Sequence, residues 1–276
     1  MSYMNSNDSS LPHLSDTPMQ LPGAKRAIIF GAGSYYDEMP FVPADALVIA
    51  ADGGYDHVIS LGITPHAFIG DMDSVLEDIP QATTTTVIKL SREKDDTDVL
   101  AAVRYAWNLG IREFEFFGIL GGRIDHSLAN IHVAARIASH GGIAFLHGDH
   151  TITTVITDAV MTFPAGYVAA GRYISILSHS SISEHVSIQG LKYCIDDVRM
   201  TNISPIGVSN EFLPDTPATI AVEGGSLIIV YPSEAPTPHI LSEIKPSKDF
   251  GALTTSPSSH LSELKQNSPR RGRHAA

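Results

Sequence analysis

Aspartates are concentrated in three short stretches of the sequence, and the spacing within one of them suits a divalent cation. Asp71 and Asp73 stand two residues apart, directly after the apolar run AFIG. In an extended segment such side chains point the same way, so the two carboxylates repel each other unless a cation lies between them. Oxygen ligands of this kind suit Mg²⁺. A metal site is therefore predicted here, and a solvated acidic loop is the alternative.

The other two acidic stretches are each compatible with an ordinary structural role. Asp52 ends the predicted strand LVIAA, and Gly53 and Gly54 after it allow a ligand to approach the backbone. Taken alone, this stretch is better explained as a strand-to-helix turn with Asp52 as the N-cap. Asp95 and Asp98 share a face at the start of a predicted helix, where the helix dipole favours acids in any case. Taken together, the three stretches indicate one shared metal and phosphate site.

A fourth segment, GGRIDH, predicts a cradle for phosphate. Gly121 and Gly122 follow an apolar run and open a predicted helix, where backbone N–H groups face an anion. Arg123 can add two parallel hydrogen bonds to a phosphate. Asp125 and Asn130 belong to the same cluster. A basic turn on its own is structural more often than functional. The prediction of a phosphate site here therefore depends on the acidic stretches that accompany this segment.

Other signals in the sequence exclude some kinds of site. Gly31 and Gly33 follow the first strand as in a dinucleotide fingerprint, but Tyr36 replaces the third glycine, which disfavours an NAD site. The 13 histidines show no paired spacing such as HExxH, which disfavours zinc. Trp107, the only tryptophan, falls in a predicted helix and is expected in the core. Cys194, the only cysteine, lies in the run LKYCI and is expected to be buried.

The composition of the chain limits the cellular compartments and the classes of binding partner that fit this protein. The net charge is -12, which disfavours general binding to nucleic acid phosphates. No stretch has the apolar length that crosses a bilayer, and the first 20 residues do not resemble a secretory signal. A single cysteine allows no intramolecular disulfide, which fits a reducing compartment. The expectation is a cytoplasmic protein that binds neither membrane nor nucleic acid.

Alternating strands and helices over 25–149 predict an α/β domain with a mostly parallel sheet. The predicted strands are RAIIFG, LVIAAD, HAFIGD, TTVIKL, EFEFFG and IAFLHG, and the predicted helices lie near 54–62, 96–109 and 126–140. Asp95 or Asp96 can cap the middle helix. Ligands of such sheets bind at the carboxyl ends of the strands, where all four clusters fall.

The helical period disappears after about residue 150, which predicts a second, all-β domain over 150–231. Its short strands are TITTVIT, AVMTFP, YISILS, HVSIQGL, ATIAVE and SLIIVY. Such spacing is typical of an antiparallel sandwich or small barrel. The segments 1–24 and 232–276 are rich in Ser and Pro, and both are expected to be disordered tails.

The clusters, in their order along the chain, resemble the thiamine pyrophosphokinase (thiamine diphosphokinase) family. The matching segments are ADGGYDHVISLGITPHAFIGDMDSV, EKDDTDVLAAV, GILGGRIDHSLANI and IGVSNEF, which span residues 50–212. The resemblance implies a Rossmann-like ATP-binding domain followed by a thiamine-binding β-sandwich, working as a homodimer. It also implies Mg²⁺-dependent transfer of the diphosphate of ATP to the hydroxyl of thiamine, with release of AMP.

The resemblance also implies roles for individual residues. Asp71, Asp73 and Asp98 would hold the metal and the diphosphate, and Asp95 would lie beside them. The DGG element (Asp52, Gly53, Gly54) and the GGRxDH element (Gly121, Gly122, Arg123, Asp125) would bind substrate. Ser209 and Asn210 would meet thiamine across the dimer interface.

Two alternatives and one mechanistic choice stay open from the sequence. The acid clusters also suit a pyrophosphokinase for another alcohol, such as a pterin. A non-enzymatic nucleotide sensor needs a phosphate cradle but no converging carboxylates, so the sequence disfavours it. Charge neutralisation by metal and Arg123 would carry most of the catalysis. Asp71 and Asp98 are both candidates to accept the hydroxyl proton.

Overall fold

Six short parallel strands form the first part of the sheet and lie where the sequence predicted strands. The computed structural model describes residues 23–36, 40–71, 85–166 and 168–257. The strands are β1 Arg26–Phe30, β2 Leu47–Ala51, β3 Ala67–Gly70, β4 Thr86–Lys89, β5 Glu113–Phe117 and β6 Ile143–Gly148. Their order in space is β6-β5-β1-β2-β3-β4. The chain therefore runs outward from β1 to β4 and then returns to the other side of β1 with β5.

Three helices cover the two faces of this parallel part: α1 (Gly54–Ser60), α2 (Asp98–Asn108) and α3 (Ile124–Ser139). Alternate residues of the strands face opposite layers, as the pleat of a strand requires. Ile29 belongs to the core beneath α2 and α3, whereas Ile28 belongs to the core beneath α1. Trp107 of α2 is buried, as expected.

The cap of α2 differs from the prediction. Thr97 is the N-cap residue, and its side chain accepts a hydrogen bond from the backbone N–H of Leu100 at 3.2 Å. Neither Asp95 nor Asp96 takes this position. Threonine and aspartate are both good N-caps, so the exact first turn decides which one is used.

The rest of the sheet is antiparallel and continues from β6 without a break. Its strands are β7 Thr151–Phe163, β8 Ser175–Ser178, β9 Ser183–Gln189, β10 Ile195–Met200, β11 Ala218–Pro232 and β12 His239–Ser242. β7 pairs with β6 on one side and with β11 on the other. An α/β part followed by a β part is thus confirmed. Within the described ranges, no helix is both long and apolar enough to cross a bilayer.

Two pairs of predicted strands turn out to be single long strands, β7 and β11, which bend together. Asp158 interrupts the apolar pattern of β7 and has a positive φ of 43°. Its carboxylate accepts hydrogen bonds from the backbone N–H groups of Gly224 at 2.7 Å and Gly225 at 3.1 Å. The register between the two strands shifts at this point, between Val222 and Ser226. The polar and glycine residues that resembled loops are therefore a bulge inside paired strands.

Cys194 is exposed, so the expectation of a buried thiol is wrong. It precedes β10, and its thiol donates a weak hydrogen bond to the carbonyl oxygen of Leu191 at 3.2 Å. The neighbouring Leu191 is buried and Ile195 packs against the core. The apolar character of the run LKYCI therefore comes from these two residues rather than from the cysteine.

The expectation of a disordered tail from residue 232 is wrong for 232–257. Strand β12 pairs with β7. Phe250 is 1% exposed and lies in the core beneath α2 and α3, with its ring centroid 4.6 Å from that of Trp107. A single buried apolar residue such as Phe250 produces no periodic pattern in a sequence rich in Ser and Pro. The segment therefore resembled a disordered tail.

Replacement of Phe250 by alanine should lower the free energy of unfolding by about 3–5 kcal/mol, because it opens a cavity beside Trp107. Urea unfolding followed by tryptophan fluorescence measures this change. The matched control is Phe41→Ala, since Phe41 is 82% exposed. That control should change stability by less than about 0.5 kcal/mol. Equal stability of the two variants would contradict the packing of the C-terminal segment.

Candidate active-site cleft

A cleft of about 800 Å³ opens at the carboxyl edge of the parallel strands. It lies where the strand order reverses, between β1 and β5, which is the usual ligand site of an open α/β sheet. The cleft is lined by the loops after β1, β2 and β5, by the segment before α2 and by the start of α3: residues 31–34, 51–52, 92, 94, 96–99, 118–119, 121–123, 126 and 130.

The loops after β1 and β5 are bonded to each other and form the floor of the cleft. The N–H of Gly31 donates to the carbonyl oxygen of Phe117 at 2.8 Å, and that of Gly33 donates to Gly118 at 2.6 Å. A Cβ atom on Gly33 would lie 2.7 Å from the carbonyl oxygen of Gly118. The two glycines that resembled part of a dinucleotide fingerprint therefore permit the close approach of two loops.

Of the DGG element, only Asp52 lines the cleft. It has a positive φ of 51°, and its carbonyl oxygen accepts a hydrogen bond from the N–H of Tyr55. Gly53 is the N-cap of α1, so Asp52 does not take the capping role that was the alternative. A Cβ atom on Gly54 would lie 2.1 Å from the carbonyl oxygen of Phe30. Gly54 thus lets α1 begin against the end of β1.

Two basic side chains balance two of the predicted metal ligands. Asp71 follows β3, and its Oδ2 lies 4.0 Å from Nε of Arg92. Oδ1 of Asp98 lies 3.0 Å from Nζ of Lys94. Arg92, Lys94 and Asp98 line the cleft, whereas Asp71 does not. No motif in the sequence marks Arg92 or Lys94 as a site residue, although both lie next to the acidic stretch.

Asp73, the third predicted metal ligand, lies outside the described residues. Within the described ranges, no group of three or more His, Cys, Asp or Glu side chains has the geometry of a metal site. The donor chemistry of Asp52, Asp71 and Asp98 nevertheless fits magnesium, which prefers carboxylate oxygens and water.

Asp95 and its neighbour Asp96 lie in different surroundings. Asp95 is exposed and does not line the cleft, whereas Asp96 does. Both carboxylate oxygens of Asp96 are held by Arg104 of α2, Oδ2 at 2.7 Å from Nε and Oδ1 at 3.1 Å from Nη2. The turn before Thr97 decides which of two adjacent acids faces inward, and sequence spacing does not encode that choice.

The GGRIDH segment lies at the rim of the cleft. Gly121 and Gly122 have positive φ angles of 80° and 63°, which favour glycine. Arg123 precedes α3 and donates from Nε to Asp125 at 3.1 Å, with both side chains largely exposed. This hydrogen bond lowers the pKa of the Asp125 carboxyl group and raises the pKa of Arg123. A phosphate that binds Arg123 must therefore compete with a neighbour that is ionised at neutral pH.

Asn130 lines the cleft, and its side chain forms a hydrogen bond with the loop after β5. It is 5% exposed, and its Nδ2 donates to the carbonyl oxygen of Ile119 at 2.7 Å. The bond links α3 to the loop that forms the floor. The Nδ2 group of Asn130 is therefore used to position the loop after β5.

Ser209 and Asn210 are not brought to the cleft within one chain. The side chain of Asn210 donates to the carbonyl oxygen of Tyr193 at 2.7 Å and accepts from its N–H at 2.9 Å. Its backbone pairs with Ile174. Ser209 is exposed and has a positive φ of 61°. Exposed apolar side chains occur nearby in the sequence, namely Tyr193, Ile203, Ile206, Val208 and Leu213.

Two family models match separate parts of the chain. The thiamin pyrophosphokinase catalytic domain matches residues 41–145, and the thiamin pyrophosphokinase vitamin B1 binding domain matches 161–227. Thiamine pyrophosphokinase of Bacillus subtilis is 27% identical over 217 residues, which cover 75% of this chain and 94% of that protein. The two matches of one family together span more than half of the 276 residues.

Solved structures share the fold. The crystal structure of thiamine pyrophosphokinase from Bacillus subtilis has a TM-score of 0.66 at 24% identity and covers 76% of this chain and 100% of its own. Thiamin pyrophosphokinase from Candida albicans has a TM-score of 0.59 at 12% identity, with 77% and 91% covered. At these identities the likeness concerns the fold alone.

Asn130→Ala should lower the free energy of unfolding by about 1–3 kcal/mol, since the carbonyl of Ile119 loses its buried partner. Denaturant unfolding measures the loss. Asn108→Ala is the control, because Asn108 is exposed at the end of α2. A change within about 0.5 kcal/mol is expected there. If both variants were as stable as the unmodified protein, Asn130 would not hold the floor of the cleft.

Proposed function

Because the chain belongs to the thiamine pyrophosphokinase family, we propose that it transfers the diphosphate of ATP to the hydroxyl group of thiamine. The products are thiamine diphosphate and AMP. The observation that carries the proposal is the cleft at the strand-order reversal, which combines acids with cations beside the glycine-rich start of α3.

The reaction joins the hydroxyl oxygen of thiamine to the β-phosphorus of ATP and breaks the bond from that phosphorus to the oxygen that AMP retains. Such transfers need positioning and charge neutralisation more than covalent participation. Lys94 and Arg92 place positive charge in the wall of the cleft, and Arg123 can contribute more at its rim. Asp71 or Asp98 accepts the proton that the hydroxyl group releases.

Mg²⁺ is the proposed metal, held by Asp71, Asp73 and Asp98. When bound, it would neutralise charge on the phosphate oxygens. The support is chemical, because carboxylate oxygens are the ligands that magnesium prefers. Asp71 and Asp98 are both already close to a cationic side chain. The carboxylates that would hold the metal are therefore also the ones that Arg92 and Lys94 approach.

We assign ATP binding to residues 25–149 and thiamine binding to 150–231, a β-sandwich, with the two sites completed in a homodimer in the cytoplasm. Ser209 lies on an exposed segment with the apolar side chains of Ile203, Ile206 and Val208. Such a surface suits contact with a second copy of the chain. The second copy would bring Ser209 and Asn210 to the cleft, where a single chain does not place them.

Asp98→Asn should reduce kcat for AMP release by about 10²–10³-fold, because the amide neither binds metal nor pairs with Lys94 in the same way. A coupled AMP assay with ATP, thiamine and Mg²⁺ measures this, with a chelator as control. Asp45→Asn is the matched variant, since Asp45 is exposed before β2 and outside the cleft. It should keep full turnover. Full turnover in Asp98→Asn would remove this residue from the reaction.

Mixing two inactive variants tests the shared site. If Ser209 of one protomer meets thiamine at the cleft of its partner, Ser209→Tyr should abolish activity as Asp98→Asn does. A heterodimer of the two variants then contains one site without either change, so mixing should restore about a quarter of the activity of the unmodified protein. No recovery in a mixture that sedimentation shows to be dimeric would contradict the arrangement.

A further inference from the structure

The segment 243–251, called the C-terminal strap below, packs against α2 and α3; most of its residues are exposed, whereas Phe250 is buried. The carbonyl oxygen of Ser247 accepts hydrogen bonds from Nε1 of Trp107 and from Nη2 of Arg112, both at 3.0 Å. The N–H of Ser247 donates to His140 at the end of α3 at 2.8 Å. Phe250 is buried against Trp107. The strap is thus fixed by both helices whose first turns border the cleft.

Two arginines, one from each helix, meet at a single atom of the strap. Nη1 of Arg104 donates to the carbonyl oxygen of Phe250 at 3.1 Å, and Nη2 of Arg136 donates to the same oxygen at 2.9 Å. Arg104 uses its other two nitrogens to hold both oxygens of Asp96. Arg136 has no such contact with an acid of the cleft. One guanidinium group therefore connects the strap to the cleft wall.

We propose that the C-terminal strap is a positioning element for nucleotide binding, acting through Arg104 on Asp96. The chain of contacts runs from the Phe250 carbonyl through the Arg104 guanidinium to a carboxylate that lines the cleft. The proposal rests on the function proposed above in one respect, namely that the cleft binds ATP.

We expect Arg104 to affect ATP binding because the carboxylates of the cleft repel the phosphates of ATP. Asp52, Asp96 and Asp98 all line the cleft that must receive a triphosphate. The Arg104 side chain is only 11% exposed and its partner only 20%, so water screens this pair weakly. The positive charge of the Arg104 guanidinium group compensates the negative charge of the Asp96 carboxylate. Without it, that carboxylate repels the phosphates or draws Lys94 away from Asp98.

Gly251 shows how closely the strap is fitted to Arg104. It has a φ of 95°, and a Cβ atom at this position would lie 1.9 Å from Nη1 of Arg104. The same Cβ atom would lie 3.3 Å from Nη2 of Arg136. A methyl group on the strap would thus displace the arginine that holds Asp96 before it disturbs the other one.

The test compares Arg104→Ala with Arg136→Ala, which lose the same partner on the strap. The dissociation constant of ATP is measured by calorimetry with Mg²⁺ and without thiamine, and the KM values of ATP and thiamine are measured in the AMP assay. Arg104→Ala should weaken ATP binding and raise the KM of ATP about tenfold, with the KM of thiamine unchanged. Arg136→Ala should change ATP affinity less than about twofold, although it loses the same hydrogen bond to the strap.

Two further variants separate positioning from simple destabilisation. Adding Asp96→Asn to Arg104→Ala should restore most of the ATP affinity, because an amide carries no charge to balance. Gly251→Ala should weaken ATP binding although Arg104 itself is retained, so it decides the matter if Arg104→Ala does not fold. Equal ATP affinities of the two arginine variants, or no recovery in the double variant, would overturn the proposal.

The dissociation constant of ATP, measured by calorimetry, tests the positioning role separately from the proposed transferase function. If the unmodified protein binds ATP but releases no AMP, and Arg104→Ala still weakens binding, the positioning role stands and the proposed function fails. If the unmodified protein releases AMP and Arg104→Ala binds ATP normally, the function stands and the positioning role fails.

Discussion

The close approach of two loops at the reversal of strand order is the constraint on which the rest of the site depends. Gly31 and Gly33 donate hydrogen bonds to Phe117 at the end of β5 and to Gly118 after it, and a Cβ atom on either glycine would lie too close to this backbone. This contact forms the floor of the cleft. Asn130 secures the same loop from the helix side. Backbone packing rather than the acids therefore determines the shape of the cleft floor.

Charge is the second organising feature, because the ATP that we propose as the ligand of the cleft is a polyanion, whereas the wall of the cleft carries several acids. Three acids in or beside the cleft are each matched by a nearby cation. Lys94 lies by Asp98, Arg92 by Asp71, and Arg104 by Asp96. Local pairing of this kind lets a protein of net charge -12 present a surface that phosphates can approach.

The antiparallel strands are joined to the parallel ones through β6 and β7, so the two parts share one sheet in the described residues. The long strands β7 and β11 bend where Asp158 holds Gly224 and Gly225. The C-terminal strap then returns from β12 to the helices. Covalent continuity and the strap together connect the part matched by the vitamin B1 binding domain to the helices that border the cleft.

The sequence by itself determined the six parallel strands, the three helices and the acids at the strand ends, because periodicity and turn residues are local properties. It also indicated the family through the order of its motifs. Only the tertiary structure decided that Asp96 rather than Asp95 faces the cleft, that two strand pairs are single bent strands, and that 232–257 is packed. The bent strands and the packed C-terminal segment depend on partners far away in the chain, such as Gly224 and Trp107, whereas the orientation of Asp96 depends on the turn that places it against Arg104. Sequence spacing alone does not reveal which residues make these contacts.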